Sequence, residues 1–165
     1  MNVVYCTRGH YVATYNMAAR SWQGVLRVAA EEERGDAPHH AKHCAACGSK
    51  NLRVCEHCET PMRPLTRSGG RPSYCFECAE PFPWTANALA TAEEYTDELD
   101  TLTDEDKVVL KESFADLTID TVRTPLAASR YNRIVSKLAP FARETLQKII
   151  VEVITNSAKK IMGGP

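Results

Sequence analysis

Seven cysteines and one histidine fall into four pairs within the first 80 residues: Cys6-x3-His10, Cys44-x2-Cys47, Cys55-x2-Cys58 and Cys75-x2-Cys78. A C-x2-C turn directs two sulfurs to one side of a tight knuckle, which is half of a tetrahedral metal site. The last two pairs are separated by sixteen residues, within the roughly 15–20 found between the halves of zinc-binding cysteine patterns. Cys6 and His10 with Cys44 and Cys47 complete a Cys3His set. The 33-residue gap between those halves is tolerable, because the entropy of loop closure grows only logarithmically with length. Eight ligands thus suffice for two closed four-ligand sites, and two structural Zn2+ ions are the expected cofactors.

Other histidines compete for a place. His39, His40, His43 and His57 lie near the knuckles and stand as alternatives to His10. His43 and His57 are expected in solvent or beside the site, since positions adjacent to a knuckle ligand point away from its metal face. The pairs could also interleave, first with third and second with fourth. Sequential pairing is preferred because the second ribbon is self-sufficient by spacing. Gly48, directly after Cys47, suits the left-handed end of a knuckle turn.

The same residues argue against catalysis. A catalytic zinc keeps three protein ligands and an open position, whereas eight ligands fill two sites here. No HExxH, no deaminase signature and no glycine-rich phosphate loop is present. A redox role for one C-x2-C pair is disfavoured by the presence of four half-sites together. The chain is therefore expected not to be an enzyme.

Those ligands need elements to hold them. Short strands are expected at Asn2–Tyr5 and Tyr11–Tyr15, both rich in β-formers. A helix over 17–34 would place Ala18, Trp22, Val25, Leu26 and Ala29 on one face, with a loop over 36–42. After Trp84 the pattern turns helical. Thr85 is a plausible N-cap, with Trp84 and Leu89 as a hydrophobic staple, for a helix to about Asp100 burying Leu89, Ala92, Thr96 and Leu99. Thr103 caps a second helix, with Asp106 as the reciprocal partner of a capping box and Leu110, Phe114 and Leu117 inward. Thr124-Pro125 starts a third, carrying Ala127, Tyr131, Ile134 and Leu138. Pro140 separates it from a last helix running to about Met162 and stopped by Gly163. The expected fold class is α+β: a small double zinc-ribbon module over residues 1–84, followed by an α-helical hairpin or bundle region over 85–165.

Bulk properties narrow the classes further. The chain has 165 residues, 44% of them apolar and 25% charged, with a net charge of −1, an ordinary soluble composition. Residues 1–80 hold ten Lys/Arg against eight Asp/Glu, short of the basic footprint of a nucleic-acid protein. Residues 87–120 carry eleven acidic and two basic side chains, and residues 121–165 carry eight basic and two acidic. An acidic helical pair packing beside a basic one is the expected outcome. The first ten residues lack a signal-peptide core, and no apolar stretch approaches the roughly 20 residues of a membrane span. A cytoplasmic location is expected, where paired cysteines are metal ligands more often than disulfides. Tyr5, Tyr11, Tyr74, Phe76, Phe82 and Trp84 are expected to cover the ribbons, since small metal domains have little other core.

Taken together, Cys6 with Gly9-His10, Cys44-Ala-Ala-Cys47-Gly48, Cys55-Glu-His-Cys58 with Pro61-Met62-Arg63, and Tyr74-Cys75-Phe-Glu-Cys78 leading into Pro81-Phe82-Pro83-Trp84-Thr85 resemble a bacterial family of uncharacterised zinc-ribbon proteins, domain-of-unknown-function family twenty-three twenty-one. Asp120-Thr121, Arg123-Thr124 and Ala127-Ala128 are similar to that family's helical half. The resemblance implies a double zinc ribbon with helices and carries no established activity. The family's usual proline after a knuckle's first cysteine is absent at Glu56 and Phe76.

The expected function is a non-enzymatic adaptor. Its zinc module displays a protein-binding surface, and its C-terminal helices self-associate or dock to a partner. Phe141, Leu146, Ile149, Ile150, Val153, Ile154, Ala158 and Ile161 form the apolar stripe behind that expectation. Complete burial of the stripe inside a monomeric bundle is the alternative. The second functional reading is nucleic-acid binding through Lys42, Lys50, Arg53, Arg63, Arg67 and Arg71.

Overall fold

Val3, Val4, Tyr5 and Cys6 are consecutive buried residues, which a strand achieves only when both of its faces are covered. In the computed structural model, which describes residues 2–15, 40–65 and 70–163, Val4 and Cys6 pack with Val12, Ala13, Tyr15 and Cys44, and Tyr5 packs against Trp84. Strand β1 (Asn2–Cys6) lies at the centre of a three-stranded sheet, between β2 (Tyr11–Tyr15) and β3 (Asn51–Leu52). Both pairings are antiparallel. The β1–β2 register skips Val12, with Val4 opposite Ala13 and Tyr5 opposite Tyr11. Such a bulge bends and twists the ribbon just before the turn that carries Cys6 and His10. The helix expected over 17–34 lies outside the described residues, as do His39 and Arg67.

Five helices follow among the described residues: α1 (Pro83–Asp97), α2 (Asp104–Leu117), α3 (Thr124–Val135), α4 (Pro140–Ile150) and α5 (Asn156–Met162). The fold is α+β. The chain divides into two compact units, Met1–Trp84 and Thr85–Pro165.

The helical unit buries the residues that its periodicity picks out: Ala92, Leu99, Leu110, Phe114, Leu117, Ala127, Tyr131, Ile134, Leu138, Leu146 and Ile150 share one core. Ion pairs join its acidic and basic elements, Lys137 to Asp106 at 2.5 Å and Arg123 to Asp116 at 2.9 Å.

Several boundaries differ from the sequence expectation. Helix α1 starts at Pro83, so Thr85 is not its cap but a buried residue within its first turn, and the helix ends at Asp97 rather than Asp100. Proline needs no N–H partner at a helix start, which lets the helix begin three residues early, at Pro83 instead of Ala86. Thr103 does cap α2, accepting from the Asp106 N–H at 3.2 Å, but the Asp106 carboxylate turns to Lys137 instead of back to the cap. Thr124 is likewise not the cap of α3. Its hydroxyl donates to Ile119 O and accepts from Thr121 N, closing the preceding turn.

The single last helix is two. After Ile150 the chain breaks, and Thr155 caps α5 by accepting from the Ala158 N–H at 3.1 Å. The Thr155 N–H is itself held by Leu117 O at 2.9 Å. Val151, Val153, Ile154 and Thr155 are β-branched, with little helix preference, and Thr155 offers a cap at which α5 starts. Gly163 closes α5 in the left-handed conformation, φ 78°. The break folds most of the apolar stripe inward: Leu146, Ile150, Val153, Ile154 and Ala158 are buried, while Phe141 stays 79% exposed.

Candidate metal centres

Three short hairpins repeat one hydrogen-bonding scheme. In each, the amide four residues after the first cysteine donates to that cysteine's carbonyl: Gly48 to Cys44 at 2.8 Å, Glu59 to Cys55 at 2.9 Å, and Ala79 to Cys75 at 3.0 Å. The first cysteine's own N–H donates to the carbonyl one residue further on, of Ser49, Thr60 or Glu80. Isolated bridges His43–Lys50, Val54–Pro61 and Tyr74–Pro81 then close the three bases in the same register. The turn requires a left-handed residue after the second cysteine. Gly48 fills it at φ 70°, but Glu59 and Ala79 fill it at 58° and 59°, where a Cβ is unfavourable. The signal for this repeat is Cys-x2-Cys-x2-Pro followed by an apolar residue, present at Cys55–Met62 and Cys75–Phe82. Met62 and Phe82 are the buried anchors it supplies.

The fourth half-site is different. Cys6 ends β1 and His10 immediately precedes β2, so the two meet across the hairpin turn. Gly9, at φ 82°, lets its N–H reach Cys6 O at 2.7 Å, and the His10 N–H reaches Cys6 Sγ at 3.3 Å.

The four half-sites join in sequential order. Cys6, His10, Cys44 and Cys47 form one group and Cys55, Cys58, Cys75 and Cys78 the other, with the ligand atoms of each within 4.8 Å of one another. All eight expected ligands are thereby brought together, and His40, His43 and His57 belong to neither group. Cys6 and Cys47 sulfurs are 3.7 Å apart, and His10 Nδ1 lies 3.3 Å from Cys47 Sγ and 3.9 Å from Cys44 Sγ. In the second group Cys55–Cys78 is 3.7 Å and Cys58–Cys75 is 3.6 Å. A tetrahedral ion with metal–sulfur bonds of about 2.3 Å has sulfur–sulfur edges of about 3.8 Å, so the donor spacing fits such an ion. A disulfide would need about 2.05 Å, and all seven cysteines are free. Each group could hold a metal ion.

Electrostatics within the groups point the same way. Side-chain and backbone hydrogen bonds from Ser49 lower the Cys47 thiol to about 6, and Thr60 does the same for Cys58. Burial raises Cys6 against hydrogen bonds from His10 and Arg8. The Glu80 amide lowers Cys78, but burial and the sulfurs of Cys58, Cys55 and Cys75 outweigh it and push it up to about 12. Thiolates crowded at these distances repel one another unless a cation sits between them.

Aromatic residues surround the second group and the sheet. Phe82 stacks on Trp84 at 4.9 Å, Trp84 meets Tyr5 at 5.4 Å, and the Trp84 indole N–H donates to Pro72 O at 2.8 Å. Beside the four-cysteine group a mainly apolar groove of about 250 Å³ runs between Pro61, Leu65, Tyr74 and Phe76. The Arg63 guanidinium lies over the Phe76 ring at 5.1 Å.

Of the basic residues expected to meet nucleic acid, Lys50 pairs with Glu56 at 2.9 Å and Arg71 donates to Gly9 O at 3.3 Å. Among the described residues, no helix is long and apolar enough to cross a membrane.

Residues 6–162 match the model of a family described as an uncharacterized protein conserved in bacteria, DUF2321, and the chain belongs to that family. No curated protein and no solved structure matches it.

Proposed function

We propose that this member of the family is a non-enzymatic adaptor whose ribbon unit is fixed by two structural Zn2+ ions and docks a protein partner. The observation carrying the metal reading is closure: eight donors divide into two fours with tetrahedral spacing. A closed four-ligand set favours a structural over a catalytic ion, and thiolate-rich sets favour zinc. Seven free thiols suit a reducing, cytoplasmic setting. The groove supports the docking role, since Leu65 (68% exposed) and Phe76 (58% exposed) are large apolar side chains held in solvent beside a rigid site. In the helical unit, Phe141 and Ile161 are the stripe residues left outside the core, and docking or self-association there would use them.

Metal analysis of the purified chain should return two zinc ions per molecule, and none or a redox metal would overturn the reading. For docking, partners cross-linked to the unaltered chain should be lost from Leu65→Asp and Phe76→Asp variants that still hold both ions. Partners captured equally by these variants would remove the groove from the proposal. Light scattering that finds a strict monomer at high concentration removes self-association. Nucleic-acid binding is the weaker reading, because Lys50 and Arg71 are already engaged within the unit. Its signature would be a gel shift that weakens steeply with salt.

A further inference from the structure

Arg71 stands four residues before Cys75 of the four-cysteine group, yet its side chain reaches the other group. Its guanidinium donates to the carbonyl of Gly9 at 3.3 Å, and Gly9 lies between the ligands Cys6 and His10. The fit is close enough that a Cβ on Gly9 would come within 2.1 Å of the Arg71 guanidinium and 2.8 Å of its Cδ. The guanidinium also lies over the Trp84 ring at 5.8 Å. The backbone of the same segment is clamped on both sides of Arg71. The Tyr5 hydroxyl donates to Gly70 O at 3.0 Å, and Trp84 donates to Pro72 O at 2.8 Å. Tyr5 directly precedes Cys6. A second connection runs through the sheet, where the Val3 N–H donates to Met62 O at 3.0 Å and β1 pairs with β3, which lies between Cys47 and Cys55.

We infer that Arg71 is a positioning residue that couples the two metal sites, so that an ion in the four-cysteine site pre-organises the Cys6–His10 turn of the other. The inference rests on both groups holding metal. Without an ion, the Cys75 knuckle is free to loosen and its lead-in segment with it, and the Gly9 turn loses the contact that holds it. With the ion present, that ordering is complete before the first site binds. The second ligand then meets less conformational entropy, and the effect is reciprocal because coupling is a shared free energy.

The test is a Co2+ titration of the metal-free full-length chain against a competing chelator. The d–d bands of cobalt distinguish an all-thiolate set from one that includes imidazole. In the unaltered chain the two spectra should rise together. The Cys3His site should bind roughly tenfold more tightly than in a C75S/C78S double variant, within the usual range of coupling between sites. Arg71→Ala should still take up two ions, but with the two spectra rising separately. Arg71→Lys, which keeps a charge and a donor, should restore part of the coupling, and Tyr5→Phe should weaken it. The Arg71 and Tyr5 variants keep all eight ligands, so the comparison does not depend on the double cysteine variant folding. Two ions bound with Arg71→Ala indistinguishable from the unaltered chain would overturn the coupling role of Arg71 and leave the metal reading standing. No Co2+ uptake at all would overturn the metal reading with it.

Discussion

Within each candidate metal group the surroundings favour one thiolate and disfavour another. Hydrogen bonds from Ser49 and Thr60 favour the thiolate at Cys47 and Cys58, whereas burial and the neighbouring sulfurs disfavour it at Cys78. In the helical unit, the Tyr131 hydroxyl is buried with no hydrogen-bond partner among the described residues. Tyr131→Phe removes that unsatisfied group and should stabilise the unit by about 1 kcal/mol, read as a raised denaturation midpoint. The cysteine pairs were legible in the sequence because metal geometry acts over three or four residues. The orphaned hydroxyl was not, since partners for a side chain are chosen by tertiary packing.

The knuckle is the element on which both metal groups depend, and its left-handed position tests the account directly. Gly48 has no atom within 4 Å of a would-be Cβ, so Gly48→Ala should cost only the backbone term, about 1 kcal/mol. Ala79→Gly relieves that same term and should be neutral or stabilising by about 0.5 kcal/mol after the extra unfolded-state entropy of glycine. Chemical denaturation of the metal-loaded variants reads both. Sequence reasoning found the left-handed site at Gly48 because glycine advertises it. It missed Glu59 and Ala79 because those residues do not, and only the repeated Cys-x2-Cys-x2-Pro frame carries the information. The last helix failed for a related reason. From Phe141 to Ile161 the apolar spacing is continuous, so periodicity reads straight through a break that the cap at Thr155 and the β-branched residues before it impose.

For the whole molecule, removal of metal should act on one unit and spare the other. In the Met1–Trp84 unit, Val4, Val12, Ala13 and Tyr15 pack against Cys6 and Cys44 themselves, so the candidate ligands are part of the core that a metal would fix. The helical unit has its own core. Chelation should abolish the tertiary signals of Trp84 and the ribbon tyrosines while most helical circular dichroism persists, and a concerted loss of both would contradict this. The α+β class and the two candidate ligand groups were readable from pattern alone. The clamp on Arg71 was not, because it joins Tyr5, Gly9, Arg71 and Trp84 across more than 60 residues of sequence. The sequential pairing of ligands also has a consequence in time. The four-cysteine site closes over 23 residues, Cys55 to Cys78, and the other over 41, Cys6 to Cys47. Shorter separations are found faster by a searching chain. During refolding the later-encoded site should therefore assemble first, and the earlier-encoded strand β1 then docks onto a template already made.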